Sequence, residues 1–162
     1  MGIYRDCAGV VLFNDEGKVL LFARADQKDF AWQFVQGGIE KAEKPEVAAL
    51  RELKEETSIT SAEIILSLPE PICYDFPEDI LKKFALKGSP YIGQKMHWFL
   101  LHFKADESEI NLATQSPEFK AYQWADIKKA PQEIVYFKHD MYQKVCDIFA
   151  PYIDAYIHRN DI

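Results

Sequence analysis

The stretch from Trp32 to Ile59 constrains this chain more than any other. It orders a short apolar run, two glycines, a proline and a block of acids so that strand, turn and helix must follow one another. Trp32 to Val35 reads as a short strand stopped by Gly37-Gly38. Pro45 suits the first position of a helix, where no backbone N–H is required, and the pattern predicts a helix over 45–57. Val47, Leu50 and Leu53 recur at three-residue spacing and form its expected apolar stripe.

On such a helix Glu52, Glu55 and Glu56 stand at i, i+3 and i+4 and project within about 100° of one another. Carboxylates this close repel unless cations sit among them, and a cluster of hard oxygen ligands suits Mg2+ or Mn2+. Leu53 points elsewhere and can anchor the acidic face to a core, while Arg51 can brace a carboxylate bidentately. Gly37-Gly38 is expected to let the backbone turn sharply and bring main-chain carbonyls to the same place. Glu43 is a further carboxylate just ahead of the helix. Taken singly, an acidic triplet is usually a solvated helix face and a glycine pair is usually a turn. The fixed spacing of all these residues sets them apart from both.

Around this stretch the chain alternates strand and helix patterns. Cys7 to Phe13 and Val19 to Phe22 flank the turn cluster Asn14 to Gly17 and read as a hairpin. Ala62 to Leu68, Trp98 to Phe103 and Glu118 to Trp124 are further strand candidates. In the last of these, Phe119, Ala121 and Gln123 share one face. The region from Pro69 to Gly93, broken by prolines, reads as a long loop with short elements, and Tyr74 within it is either packing or pocket lining. Asp126 is an expected N-cap for a short helix ending before Pro131. A final helix is expected from about His139 to Tyr156, with Pro151 as a kink or break. No repeat or linker interrupts the 162 residues, so one α/β or α+β domain over 1–162 is expected.

A net charge of -7 argues against an extended nucleic-acid surface, which needs summed positive charge. Cys7, Cys73 and Cys146 are far apart and odd in number, which suits reduced structural thiols rather than a disulfide or CxxC framework. No apolar run approaches a membrane span, no apolar leader follows the start, and Asp6 stands where a myristoylation signal needs Ser or Thr. A cytoplasmic enzyme is the expectation. His97, His102, His139 and His158 show no ligand spacing and read as structural or exposed.

Gly37, Glu43, Arg51, Glu52, Leu53, Glu55, Glu56 and Ile59 match the Nudix box, written G-x5-E-x7-R-E-U-x-E-E-x-G-U with U aliphatic. Ser58 departs from it, standing where glycine is usual at a position that commonly needs a left-handed backbone. The resemblance extends to Tyr4-Arg5, Trp32 to Phe34 with Gln36 to Gly38, Ile92 to Lys95 before Trp98-Phe99, Pro117 to Phe119, and Phe137-Lys138. Val35 replaces a usual proline. Together these residues resemble the branch of the Nudix hydrolases that contains bacterial RNA pyrophosphohydrolases and dinucleoside polyphosphate hydrolases.

That resemblance implies an α/β/α sandwich around a mixed central sheet, with two or more Mg2+ or Mn2+ ions at the acidic helix face. It implies Gly37, Glu52, Glu55, Glu56 and Glu118 as metal ligands and Arg51, Glu52, Glu55 and Glu56 as catalytic residues. Glu56 and Glu52 are both candidates for the general base, and the residues do not separate ligand from base. Arg5, Arg24, Lys95 and Lys138 would meet phosphates, and Phe137 would stack a base with Arg24 on its other side. Each has a plainer reading: Phe137 as a core aromatic, the cations as surface charges, Glu118 as a strand-edge acid. The implied reaction converts a 5′-triphosphate RNA end to a monophosphate. The alternatives are hydrolysis of dinucleoside polyphosphates such as Ap4A, and a silent nucleotide-binding module.

Overall fold

The computed structural model describes residues 2–26, 31–134 and 136–159. In chain order its elements are β1 (Ile3–Phe13), β2 (Val19–Arg24), β3 (Trp32–Gln33), β4 (Val35–Gly38) and α1 (Pro45–Thr57). There follow β5 (Ala62–Ser67), β6 (Ile72–Asp75), α2 (Glu78–Leu86), β7 (Tyr91–Phe103), β8 (Phe119–Ala125) and α3 (His139–Ile157).

The expected hairpin forms: β1 and β2 are antiparallel, with Phe13 opposite Val19. Asn14 accepts the backbone N–H groups of Glu16 and Lys18 through its side-chain oxygen, each at 3.0 Å, and Gly17 supplies the positive φ of 78°. The spine of the eight-stranded mixed sheet is the pair β1 and β7, parallel from Tyr4 beside Gly93 to Phe13 beside His102. Beyond β1, β4 pairs with Cys7 to Val10, and β2 carries β3 and β8 outward. Beyond β7, β6 pairs with the first half and β5 with the second.

Strand alternation sends side chains to two separate cores. On one face Val11, Leu21, Met96, Trp98 and Leu100 pack under α3 through Tyr142, Val145, Cys146 and Phe149. On the other Val10, Leu12, Phe22, Phe99 and Leu101 pack under α1 through Ala48, Ala49 and Leu53. The α/β/α layering implied by the resemblance is what the structure shows.

Several expectations are corrected. Gly37 and Gly38 do not stop a strand; they lie within β4, paired to Ala8 and Cys7, and neither takes a positive φ. Val47 and Leu50 are exposed, and α1 buries Ala48, Ala49, Leu53, Glu56 and Thr57 instead, because small residues let the helix lie close to the sheet. The proline-rich region holds β6, the nine-residue helix α2 and the start of β7, since Pro77 caps α2 and Pro90 follows it. Asp126 accepts from Lys128 N–H at 3.0 Å in a turn, and the 3-10 helix that follows, Ala130–Glu133, includes Pro131. Ser58 takes φ 69°, the left-handed backbone its position needs, and its hydroxyl donates to the Asn111 carbonyl at 2.9 Å.

Helix α3 runs past Pro151 to Ile157 without a break. An interior proline leaves the Asp147 carbonyl without its helical donor, and Pro151 is exposed, so nothing in the core requires it there. Replacing Pro151 with Ala is expected to raise stability by about 1–2 kcal/mol, the helix gain less the loosened unfolded chain. Urea unfolding checks this, and an unchanged or lower midpoint contradicts it.

Candidate active site

Helix α1 begins at Pro45 with an extended Lys44 ahead of it, and its buried Leu53 fixes the rotation of the helix on the sheet. That rotation aims Arg51 at the 39–44 loop. Its Nε donates to Glu43 Oε2 at 2.7 Å, and its two Nη atoms donate to Glu43 Oε1 and the Gly38 carbonyl at 2.9 Å, Glu52 Oε1 at 2.9 Å and Glu55 Oε2 at 3.1 Å. All five guanidinium donors are used. The Arg51 guanidinium, helped by the Glu40 N–H at 2.9 Å, holds the Glu43 carboxyl down at about 2.

Gly37 and Gly38 leave room for neighbouring side chains rather than making a turn. A side chain at Gly37 would occupy the position of the Glu52 carboxylate, and one at Gly38 that of the Arg5 guanidinium. Both faces of β4 are thus left open to charged groups at one point.

Glu56 lies one helical turn beyond Glu52 and is buried, with Oε2 lacking any partner among the described residues. Its carboxyl is held well above the usual carboxylate range, first by burial, then by the Glu118 carboxylate, then by Glu52. Glu118 approaches Glu56 from the position just before β8. Three carboxylates from two elements therefore converge, while Glu55 is largely exposed, its side chain 58% accessible, and leans toward Arg51. Among the described residues no three His, Cys, Asp or Glu side chains already form a metal-holding group. The donor set nonetheless fits a hard divalent cation: an unpaired buried oxygen with neighbouring carboxylates, one of them laid against the Gly37 backbone, is what such an ion satisfies.

The basic side chains fall into two groups. Lys138, at the start of α3, is buried, and burial together with the nearby Arg24 lowers its ammonium to about 8. It lies 5.9 Å from the centre of the Phe137 ring, which is half-buried and packs at 6.2 Å against Tyr74. Arg5 is exposed on the same face of the sheet, above Gly38. Lys95 is not brought to this group, because strand alternation places it on the face opposite Gln94 and Met96, beside Asp6 in register. Arg24 sits between the clusters, held bidentately by Asp26 at 2.9 and 2.8 Å, with Glu118 at 3.8 Å. The histidines are structural or exposed as expected, with His102 meeting Asp15 at 2.6 Å and His97 meeting Asp6 at 3.3 Å.

Sequence reasoning missed four contributors. Asp26 ties down Arg24, and Gln36, Gln94 and Tyr142 form a polar chain behind the Phe137 wall. Gln36 and Gln94 lay within matched segments without a role, and Tyr142 lay within the expected final helix without one. A two-residue spacing from Arg24 was the one available signal for Asp26.

Comparison with known proteins places this geometry. Two relatives are the RNA pyrophosphohydrolases of Roseobacter denitrificans, 42% identical over 93% of this chain and 94% of that one, and of Sphingopyxis alaskensis, 40% identical over 93% and 95%. The solved structure of the E. coli dihydroneopterin triphosphate pyrophosphohydrolase superposes with a TM-score of 0.67 at 22% identity, covering 91% of this chain and 97% of that chain. The family model described as NUDIX domain matches residues 3–145, and the chain belongs to that family.

Proposed function

We propose that this protein is a divalent-cation-dependent pyrophosphohydrolase that converts the 5′-triphosphate end of an RNA to a monophosphate. The observation that carries this reading is the buried, unpartnered Glu56 Oε2 converging with Glu52 and Glu118, across the β4 edge from Arg5 and Lys138. Such a site pairs a cation-seeking acidic side with an anion-seeking basic side. The names of the 40–42% identical relatives support the RNA end as substrate, and members of the family generally use divalent metal ions.

Glu52, Glu56 and Glu118, with the Gly37 carbonyl, would hold Mg2+ or Mn2+, and Glu55 stands at the rim. Bound there, the ions supply charge neutralisation of the phosphate oxygens and acidification of a water. Arg51 keeps the loop, β4 and the helix in one arrangement, so the acidic side chains do not reorganise during turnover. Lys138 and Arg5 draw the polyphosphate to the opposite side and offset negative charge on the departing group. Glu56 Oε2 is the unoccupied oxygen that a cation would take. A carboxylate of the same cluster, Glu52 or Glu56 through its other oxygen, would accept the proton of the attacking water as the water oxygen bonds to phosphorus and the bridging P–O bond to the departing pyrophosphate breaks. Phe137 and Tyr74 offer the flat apolar wall for the first base.

Glu56→Gln is expected to keep the fold and to lower kcat on triphosphorylated RNA by about 100-fold or more with magnesium present. In the same assay wild-type protein should turn over triphosphorylated RNA faster than Ap4A. A large preference for Ap4A would reverse the substrate assignment, and a near-wild-type Gln variant would remove Glu56 from the chemistry.

Lys138 also sets a pH dependence. Its ammonium is lost as pH rises through about 8, so KM for the anionic substrate should increase above that value, although bound phosphate will draw the transition upward. Lys138→Met should raise KM at pH 7 and flatten this limb. A KM–pH profile unchanged by the substitution contradicts the role.

A further inference from the structure

A chain of hydrogen bonds runs from the buried end of β4 to the substrate-facing wall, and its direction is fixed at one end. The Phe34 backbone N–H, which can only donate, reaches the Tyr142 hydroxyl at 3.3 Å. Tyr142, fully buried between Phe34 and Trp98, donates its own proton to Gln36 Oε1 at 2.9 Å. Gln36 therefore turns Nε2 the other way, where it donates to Gln94 Oε1 at 3.3 Å. The Tyr74 hydroxyl donates to the same Gln94 oxygen. Reversing Gln36 would leave the Tyr142 proton with no acceptor in a buried site and set two carbonyl oxygens against each other.

With Oε1 of Gln94 doubly occupied, its Nε2 makes no hydrogen bond among the described residues and reaches solvent. Gln94 is the register partner of Arg5 on the neighbouring strand, so the two side chains stand next to each other on the sheet face of Cys7, Met96 and Tyr74, the last of which packs against Phe137.

We infer that Tyr142 is a positioning residue for the substrate: acting through Gln36, it holds the Gln94 amide with its N–H groups presented to a phosphate oxygen bound beside Arg5. This rests on the proposed hydrolysis of a polyphosphate end and adds a specificity element to it. An amide held in this sense offers donors only, so it accepts an anionic oxygen and rejects a donor group in the same place. Arg5 as its neighbour makes that oxygen a phosphate rather than a base.

Steady-state kinetics of wild type, Tyr142→Phe, Gln94→Met and the double variant on triphosphorylated RNA, with magnesium, tests this. Tyr142→Phe keeps the ring and should raise KM about tenfold or more, the size of one hydrogen bond to a charged oxygen, with kcat changed by less than about twofold. Gln94→Met should raise KM at least as much, and Tyr142→Phe added to it should cause no further rise, because the amide it orients is gone. The increase should be equal for RNAs beginning with each of the four bases. Independent, additive effects, an unchanged KM, or a penalty confined to one base would overturn the inference. Should Tyr142→Phe fail to fold, Gln36→Met breaks the same chain and must give the same pattern. An inactive wild-type protein would instead overturn the proposed function.

Discussion

One guanidinium joins the parts on which the site depends. Arg51 spends its five donors on Glu43, Glu52, Glu55 and the Gly38 carbonyl, tying the 39–44 loop, the edge strand β4 and helix α1 into one unit. A single positive charge set among three carboxylates neutralises only part of their field, and Glu56 and Glu118 add to the excess. At separations near 4 Å each unscreened pair costs about 1–4 kcal/mol between bulk water and a protein surface. The arrangement thus holds acids at fixed positions without satisfying them. The rise of the Glu56 carboxyl above its ordinary range is the local expression of that imbalance.

The sheet turns this imbalance into a two-sided site. Strands β1, β4 and β7 lie between α1 and α3, and strand alternation sends Glu52's neighbour Gly37 to one face and Gly38, under Arg5, to the other. Acidic groups from α1 and β8 and cationic and aromatic groups from β1 and the start of α3 meet where β4 lacks side chains. On the proposed function, a polyanion would lie along that edge between the acidic cluster and Arg5 with Lys138. No part of this requires the protein to be basic overall, which fits its net charge of -7.

Much of this was legible in the order of residues, and the rest failed for identifiable reasons. Helix α1 was readable to both ends because Pro45 and the turn at Ser58 mark it. The glycine pair was placed correctly but misread, since a sequence cannot distinguish a glycine needed for φ from one needed to admit a neighbour's carboxylate. Val47 and Leu50 looked like the buried stripe, yet the close approach to the sheet selects Ala48 and Ala49. Helix α2 was obscured by prolines that in fact bound it, although Glu78 and Asp79 in its first turn and Gly88 after its end were signals for it. The first half of β7 was hidden because it begins in the proline-broken region ending at Gly93 and its polar Gln94 and Lys95 give no apolar strand pattern ahead of Trp98. Tyr142 carried no signal at all: its ring obeys the helix stripe, and only the path of its hydroxyl proton reveals a second task.

The central claim is that Glu56 belongs to an acidic cluster completed by a divalent cation. Thermal unfolding of the wild type and of Glu56→Gln, each with and without Mg2+, tests it without reference to substrate. Mg2+ at a hundredfold excess over its dissociation constant should stabilise the wild type by about 2.7 kcal/mol, and the same Mg2+ concentration should shift the Gln variant far less. An equal Mg2+ shift in both proteins, or none in the wild type, would contradict the account.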